Sequence, residues 1–217
     1  MNTPLHVTVF DYGAGNLHSL VKALEAPGTV IHVETDPKRA VEATDALILP
    51  GVGAFAPAAE QIKPALSEVR EALSRGLPCL GICLGMQLLF ESSDEGEGEG
   101  IAAFAGSVKR LDARRVPHIG WNSLELGDEP DVLFAQSQLQ LAWFANSFVS
   151  RPTATSSTAV IAWTEHEADR FPSAVRAGRV VGVQFHPEKS SGEGVQFVRA
   201  FLNEARLNRF SLQSSGQ

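Results

Sequence analysis

The chain has 217 residues, 44% hydrophobic and 20% charged, with a formal net charge of -7. That length suits one α/β domain with a sizeable core, and the composition is that of a globular protein rather than a disordered or fibrous one. The acidic balance argues against nucleic acid or an anionic membrane as the main partner. The two cysteines, Cys79 and Cys83, cannot supply a disulfide framework or a zinc cluster. With no basic leader and no apolar run approaching about 18 residues, the expectation is a cytoplasmic protein that keeps a free thiol reduced.

Val7-Thr8-Val9-Phe10 reads as a first strand, followed by the glycine-rich turn Asp11-Tyr12-Gly13-Ala14-Gly15-Asn16 and a helix over 17–25. Val30-Ile31-His32-Val33 is a second strand and Ala46-Leu47-Ile48-Leu49 a third, which runs into Pro50-Gly51-Val52-Gly53. Residues 58–74 have apolar positions spaced by three and four, a helix that Pro64 can interrupt. A fourth strand over 77–82 follows. This β-α-β-α order predicts a parallel sheet with helices on both faces and ligands at the carboxyl ends of the strands.

Residues 92–100 read as a solvated glycine and glutamate loop. From 105 to 163 short alternating runs replace the helical pattern and predict an added antiparallel sheet beside the parallel core. Residues 174–185 look like a hairpin turning at Ala177-Gly178-Arg179. A closing helix over 194–208 leaves a frayed tail over 211–217.

The fourth strand ends in Gly81-Ile82-Cys83-Leu84-Gly85, directly before the helical run Met86-Gln87-Leu88-Leu89-Phe90. Strand, sharp turn and helix, with a nucleophile at the turn and glycine two places to either side, is the pattern of a nucleophile elbow. Such an elbow lifts the sulfur off the sheet and sets it at a helix N-terminus, which favours a thiolate. A base is available in Val180-Val181-Gly182-Val183-Gln184-Phe185-His186-Pro187-Glu188. If the strand continues extended through Pro187, His186 and Glu188 point to one side. The carboxylate then orients the imidazole, and the imidazole deprotonates the thiol.

Gly-Ile-Cys-Leu-Gly-Met-Gln together with Gln-Phe-His-Pro-Glu resembles the class I (triad) glutamine amidotransferases, which hydrolyse glutamine through a cysteinyl thioester. The resemblance implies a flavodoxin-like α/β fold and makes Cys83, His186 and Glu188 the catalytic triad. It implies an oxyanion hole from the backbone N–H groups of Val52 and Leu84, each such donor typically contributing ~3–4 kcal/mol of barrier lowering. It places Gly51, Gly53, Gln87, Asn146 and Ser147 at the substrate glutamine. Glycines on both sides of Val52 would let that peptide turn, which suits a hole that can be switched.

Asp11-Tyr12-Gly13-Ala14-Gly15-Asn16, Pro117-His118-Ile119-Gly120-Trp121-Asn122 and His186-Pro187-Glu188-Lys189-Ser190 extend the likeness along most of the chain. They resemble the branch of the family whose members pass ammonia to a separate (β/α)-barrel cyclase in histidine biosynthesis. That resemblance implies a heterodimer with Asn16, Trp121 and Lys189 at the interface. It implies no metal and no organic cofactor. One stretch departs from the family pattern: Phe144-Ala145-Asn146-Ser147-Phe148 stands where Phe-Val-His-Ser/Thr-Tyr is common. Two alternatives remain at this stage: the same chemistry serving an anthranilate or aminodeoxychorismate synthase, and a non-catalytic module on the same fold.

Overall fold

A computed structural model describes residues 3–13, 17–51, 53–153 and 158–214, with side chains through residue 207. In chain order the elements begin with β1 (Leu5–Phe10), α1 (His18–Leu24), β2 (Thr29–Glu34), α2 (Pro37–Val41) and β3 (Ala46–Leu49). Next come α3 (Phe55–Ile62), α4 (Leu66–Ser74), β4 (Cys79–Ile82), α5 (Leu84–Leu88), β5 (Ser92–Ser93), β6 (Gly106–Arg110) and β7 (His118–Ser123). The chain closes with α6 (Val132–Ser137), β8 (Leu141–Asn146), β9 (Phe148–Pro152), β10 (Ala159–His166), β11 (Asp169–Ala177), β12 (Val180–Val183) and α7 (Ser191–Ser214).

Seven strands form the main sheet in the order β10-β11-β12-β4-β3-β1-β2. From β12 to β2 every pairing is parallel, while β11 runs antiparallel between β12 and β10. Side chains alternate across the sheet, as the pleat requires. On one face Val7, Val9, Ile48, Leu80, Ile82, Val181 and Val183 meet α1, α6 and α7. On the other, Phe10, Leu47, Leu49 and Cys79 meet α2, α3, α4 and α5. The two-faced burial explains why these strands read as unbroken apolar runs.

The helix expected over 58–74 is broken where Pro64 stands. A single 3-10 turn, Lys63–Ala65, separates α3 from α4, because proline has no N–H to continue the ladder. Residues 92–100, read as a plain loop, contribute β5 to a small sheet.

Added antiparallel structure is present over 105–163 as expected, but it does not form one sheet. It is two separate pieces, a three-stranded β5-β6-β9 sheet and a two-stranded antiparallel β7-β8 pair joined through α6. The alternating run at its end, now β10, does not belong to either. It pairs antiparallel with β11 and becomes the edge of the main sheet. Alternation identifies a strand with one face against a core but does not say which neighbour it pairs with. The closing helix also runs further than expected, through Ser214 into the segment read as frayed, and residues 215–217 of that tail lie outside the described residues.

Candidate active site

β4 and β12 lie side by side in parallel, with Ile82 opposite Val183. The segments leaving these two strands therefore meet at the same end of the sheet. Cys83 comes directly after β4 and is held there by its own N–H, which donates to the Val183 carbonyl at 2.7 Å. Its backbone has φ 48°, a left-handed conformation that costs a non-glycine residue energy. The elbow closes only because its neighbours lack side chains. A Cβ on Gly85 would lie 2.0 Å from the Leu49 carbonyl oxygen, and one on Gly81 would lie 2.6 Å from the Gly85 oxygen.

His186 lies just beyond β12. Its N–H donates to the Trp143 carbonyl at 2.8 Å, and its own carbonyl accepts from Ser190 Oγ at 2.7 Å. His186 is 3% exposed, and on one side its Cε1 and the Cys83 Cβ both lie against Gly51. On the other side Nδ1 lies 2.8 Å from Glu188 Oε1. The backbone route to that contact differs from the extended one expected. His186 is extended, but Pro187–Lys189 form a 3-10 turn that swings Glu188 back under the ring. Proline is favoured at the start of such a turn, where its missing N–H costs nothing.

Burial alone would push the His186 proton affinity down. The charge and hydrogen bond of Cys83, then those of Glu188, outweigh it and raise the pKa to about 10. The site therefore favours an imidazolium at His186, directly beside the end of β4 that carries Cys83. Cys79, four residues earlier, contrasts with this. It is fully buried, burial pushes its thiol far up, and it is inert filler on the other side of the strand.

Gly51 sits against both reacting groups. A Cβ there would lie 2.8 Å from the Ile82 carbonyl oxygen, 2.9 Å from Cys83 Cβ and 3.0 Å from His186 Cε1. Gly53 has φ 110°, open to glycine and strained for other residues. Val52 between them, and Asn16 in the first glycine-rich turn, lie outside the described residues. Leu84 is the first residue of α5, where a backbone N–H has no helical acceptor behind it.

Gln87 is buried on α5. Its Nε2 donates to the Phe148 carbonyl at 3.1 Å and to Gln184 Oε1 at 3.2 Å. Asn146 Nδ2 donates to the same Phe148 carbonyl at 3.1 Å, and its buried Oδ1 has no partner among the described residues. Ser147 accepts through its carbonyl from the Leu111 N–H at 3.0 Å. Two residues near the sulfur escaped the sequence reading. Gln184 is fully buried, with Nε2 3.5 Å from Cys83 Sγ. It lies two places before His186, so strand periodicity could have put it on the same side. Tyr12 is buried with no hydroxyl partner among the described residues. Burial first, and then the Cys83 charge, push its phenol well above the usual range. No sequence signal marked it, since one tyrosine in a glycine-rich turn has many readings.

The residues read as an interface are split. Trp121 is 48% exposed on β7 and meets Trp143 of β8 edge-on at 5.9 Å. Lys189 is exposed at the end of the 3-10 turn that carries Glu188. Among the described residues no group of three or more His, Cys, Asp or Glu could hold a metal ion. Nor is any helix long and apolar enough to cross a membrane.

A buried cysteine on a strained elbow, an imidazole in contact with it and a carboxylate behind the ring make up the geometry of a thiol amidohydrolase. The class-I glutamine amidotransferase family matches residues 8–205, and the chain belongs to that family. Solved structures agree on the fold. A putative GMP synthase component from Thermoplasma acidophilum superposes with a TM-score of 0.73 at 18% identity, covering 99% of this chain and 100% of that one. A further glutamine amidotransferase gives 0.71 at 23% identity, covering 92% and 98%.

Within the class, curated relatives narrow the assignment. The imidazole glycerol phosphate synthase subunit HisH of Corynebacterium diphtheriae is 35% identical over 91% of this chain and 98% of its own length. The HisH subunit of Leifsonia xyli is 39% identical over 90% and 97%. That of Trichodesmium erythraeum is 36% identical over 96% and 99%. The chain is thus a member of the HisH branch.

Proposed function

We propose that this chain is a single amidotransferase domain acting as the glutaminase component of a two-subunit synthase. It hydrolyses L-glutamine to glutamate and ammonia and passes the ammonia to a separate (β/α)-barrel cyclase. That partner forms imidazole glycerol phosphate and AICAR, the first destined for histidine. The observation that carries the reading is the buried Cys83–His186–Glu188 array at the ends of adjacent strands.

The Cys83 thiolate attacks the side-chain amide carbon of glutamine, and the carbonyl electrons move onto oxygen. The N–H groups of Leu84 and Val52 receive that oxyanion. His186 gives its proton to the departing nitrogen, the C–N bond breaks, and a thioester remains on Cys83. Neutral His186 then takes a proton from water, whose oxygen attacks the thioester. The C–S bond breaks and glutamate leaves, restoring the ion pair. Glu188 keeps the imidazole oriented throughout and stabilises its charged form. Gln87, Gly51, Gly53 and the Asn146-Ser147 segment line the place where the substrate sits.

The partner reading rests on the two-stranded β7-β8 sheet. Ile119, Trp121 and Leu141 are 63%, 48% and 51% exposed. They lie on one face, and the β8 backbone holds His186 directly. A partner on that face, with Lys189 at its rim, would sit against the strand end that bears the base.

The test is glutamate release from glutamine, with and without the barrel subunit carrying its ligand. Release should be slow alone and rise strongly with the loaded partner. Cys83→Ala should abolish glutamine-dependent synthesis and leave the partner's ammonia-dependent reaction intact. Retained glutamine hydrolysis in that variant would refute the thioester route. Co-purification with a chorismate-using enzyme in place of the cyclase would move the chain to another synthase.

A further inference from the structure

A hydrogen-bond chain runs from a main-chain carbonyl to the Cys83 sulfur through two buried amides. Gln87 Nε2 lies 3.1 Å from the Phe148 carbonyl oxygen and 3.2 Å from Gln184 Oε1. Gln184 Nε2 lies 3.5 Å from Cys83 Sγ. Gln184 is 0% exposed and Gln87 4%.

The direction of this chain is set at its far end. A glutamine amide can be turned over with little change in shape, so its nitrogen must be assigned from its partners. A backbone carbonyl can only accept. The Gln87 atom that faces Phe148 is therefore the NH2 group, which has two hydrogens to give. One goes to Phe148 and the other to Gln184. The Gln184 atom that receives it must be the oxygen. The end of Gln184 that faces the sulfur is then an NH2 group, and it donates.

A thiol accepts hydrogen bonds weakly, whereas a thiolate accepts them strongly. A donor fixed in a dry site thus stabilises the charged form more than the neutral one. Packing alone does not require an amide here, since methionine fills nearly the same volume without a buried polar group to satisfy. Among the described residues the sulfur is the one acceptor found for the Gln184 amide nitrogen.

We propose that Gln184 is a further catalytic residue: its carboxamide, aimed by Gln87, donates to the Cys83 sulfur and favours the thiolate. The inference rests on Cys83 as the nucleophile of the proposed glutaminase. It assigns Gln87 a second task beside substrate contact, that of positioning Gln184.

The rate of Cys83 alkylation by iodoacetamide, read as a function of pH on the full chain by mass spectrometry of the Cys83 peptide, tests it. In Gln184→Met the midpoint of that profile should rise by about one pH unit or more. Gln87→Met should raise it by less, and the double variant should match Gln184→Met alone, because both act through one bond. A Gln184→Met chain that melts like wild type and keeps the wild-type midpoint overturns the proposal. If that variant does not fold, the wild-type chain decides. Its Gln184 side-chain amide resonances should move with the Cys83 midpoint, and resonances that ignore that midpoint overturn the proposal. Labelling of Cys83 by a glutamine-analogue alkylator, with the cyclase present, tests the parent reading separately. A raised midpoint without such labelling would remove glutamine hydrolysis and leave the hydrogen bond standing.

Discussion

An imidazole held between a sulfur and a carboxylate keeps its proton far longer than one in water. His186 titrates near 10 in the fold against an ordinary value of 6.5. The folded chain thus binds a proton that the unfolded chain releases between those values. The stabilisation is fully present below about 6.5 and is lost as pH rises toward 10. Glu188→Gln keeps an acceptor behind the ring and removes its charge, so the His186 pKa should fall. Partner-stimulated glutamate release should drop by on the order of 10²–10⁴-fold, since the base is mis-tuned and less firmly held. An NMR titration of the ring with the kinetic profile would check both. Gly51→Ala places a methyl within 3.0 Å of both Cys83 and His186. Displacing either group by about an ångström should cost on the order of 10²-fold in turnover, and the 2.8 Å approach to the Ile82 carbonyl oxygen should lower the melting temperature as well. The proposed triad could be picked out of the sequence because each member sits in a local pattern, the glycine-flanked elbow and His-Pro-Glu. Gln184 was not, because its meaning depends on a partner about a hundred positions away.

Elements hold these residues in register by packing and by a few buried charges. Arg176 on β11 binds Glu204 of α7 at 2.9 and 3.1 Å and the α6 cap Asp131 at 2.9 Å. It is 16% exposed, so water screens these pairs little. Arg176→Ala would leave two half-buried carboxylates without their cation. Chemical denaturation should show a loss of about 3–5 kcal/mol. Strand identities were plain from residues such as Ala46 to Leu49, whose unbroken apolar run fits a strand covered on both faces. The place of β10 was not. Its alternation would fit a small separate sheet or the edge of the large one, and only pairing with Arg170, Phe171 and Val175 of β11 chose between them.

Over the whole molecule, one face of the two-stranded β7-β8 sheet stays bare beside the strand ends that carry Cys83 and His186. Ile119→Ser with Trp121→Ala should weaken capture of the proposed barrel partner at least tenfold in a titration. Melting of the isolated chain should barely change, because both side chains are about half exposed or more. Behind that face His118 stacks between Phe144 and His166, with centroids at 4.8 and 4.2 Å. Asn122 Nδ2 donates to the Glu165 carbonyl, so it must also donate to His118 Nε2. Nδ1 carries the proton and has no partner among the described residues. Burial, then the neighbouring His166, lower the His118 pKa to about 4. Here the unfolded chain takes up the proton first, so stability present above about 6.5 is lost as pH falls toward 4. The melting temperature should decline over that window, and His118→Phe should flatten the decline.

The core parallel strands, the elbow at Cys83 and the candidate base at His186 were written in local patterns of size, charge and periodicity. Those patterns act over a few residues, and a linear reading can track them. Which strand pairs with β11, how Pro187 turns Glu188 under the ring and which atom of Gln184 faces the sulfur were decided only when distant segments met. Each depends on a partner that the neighbouring residues do not specify.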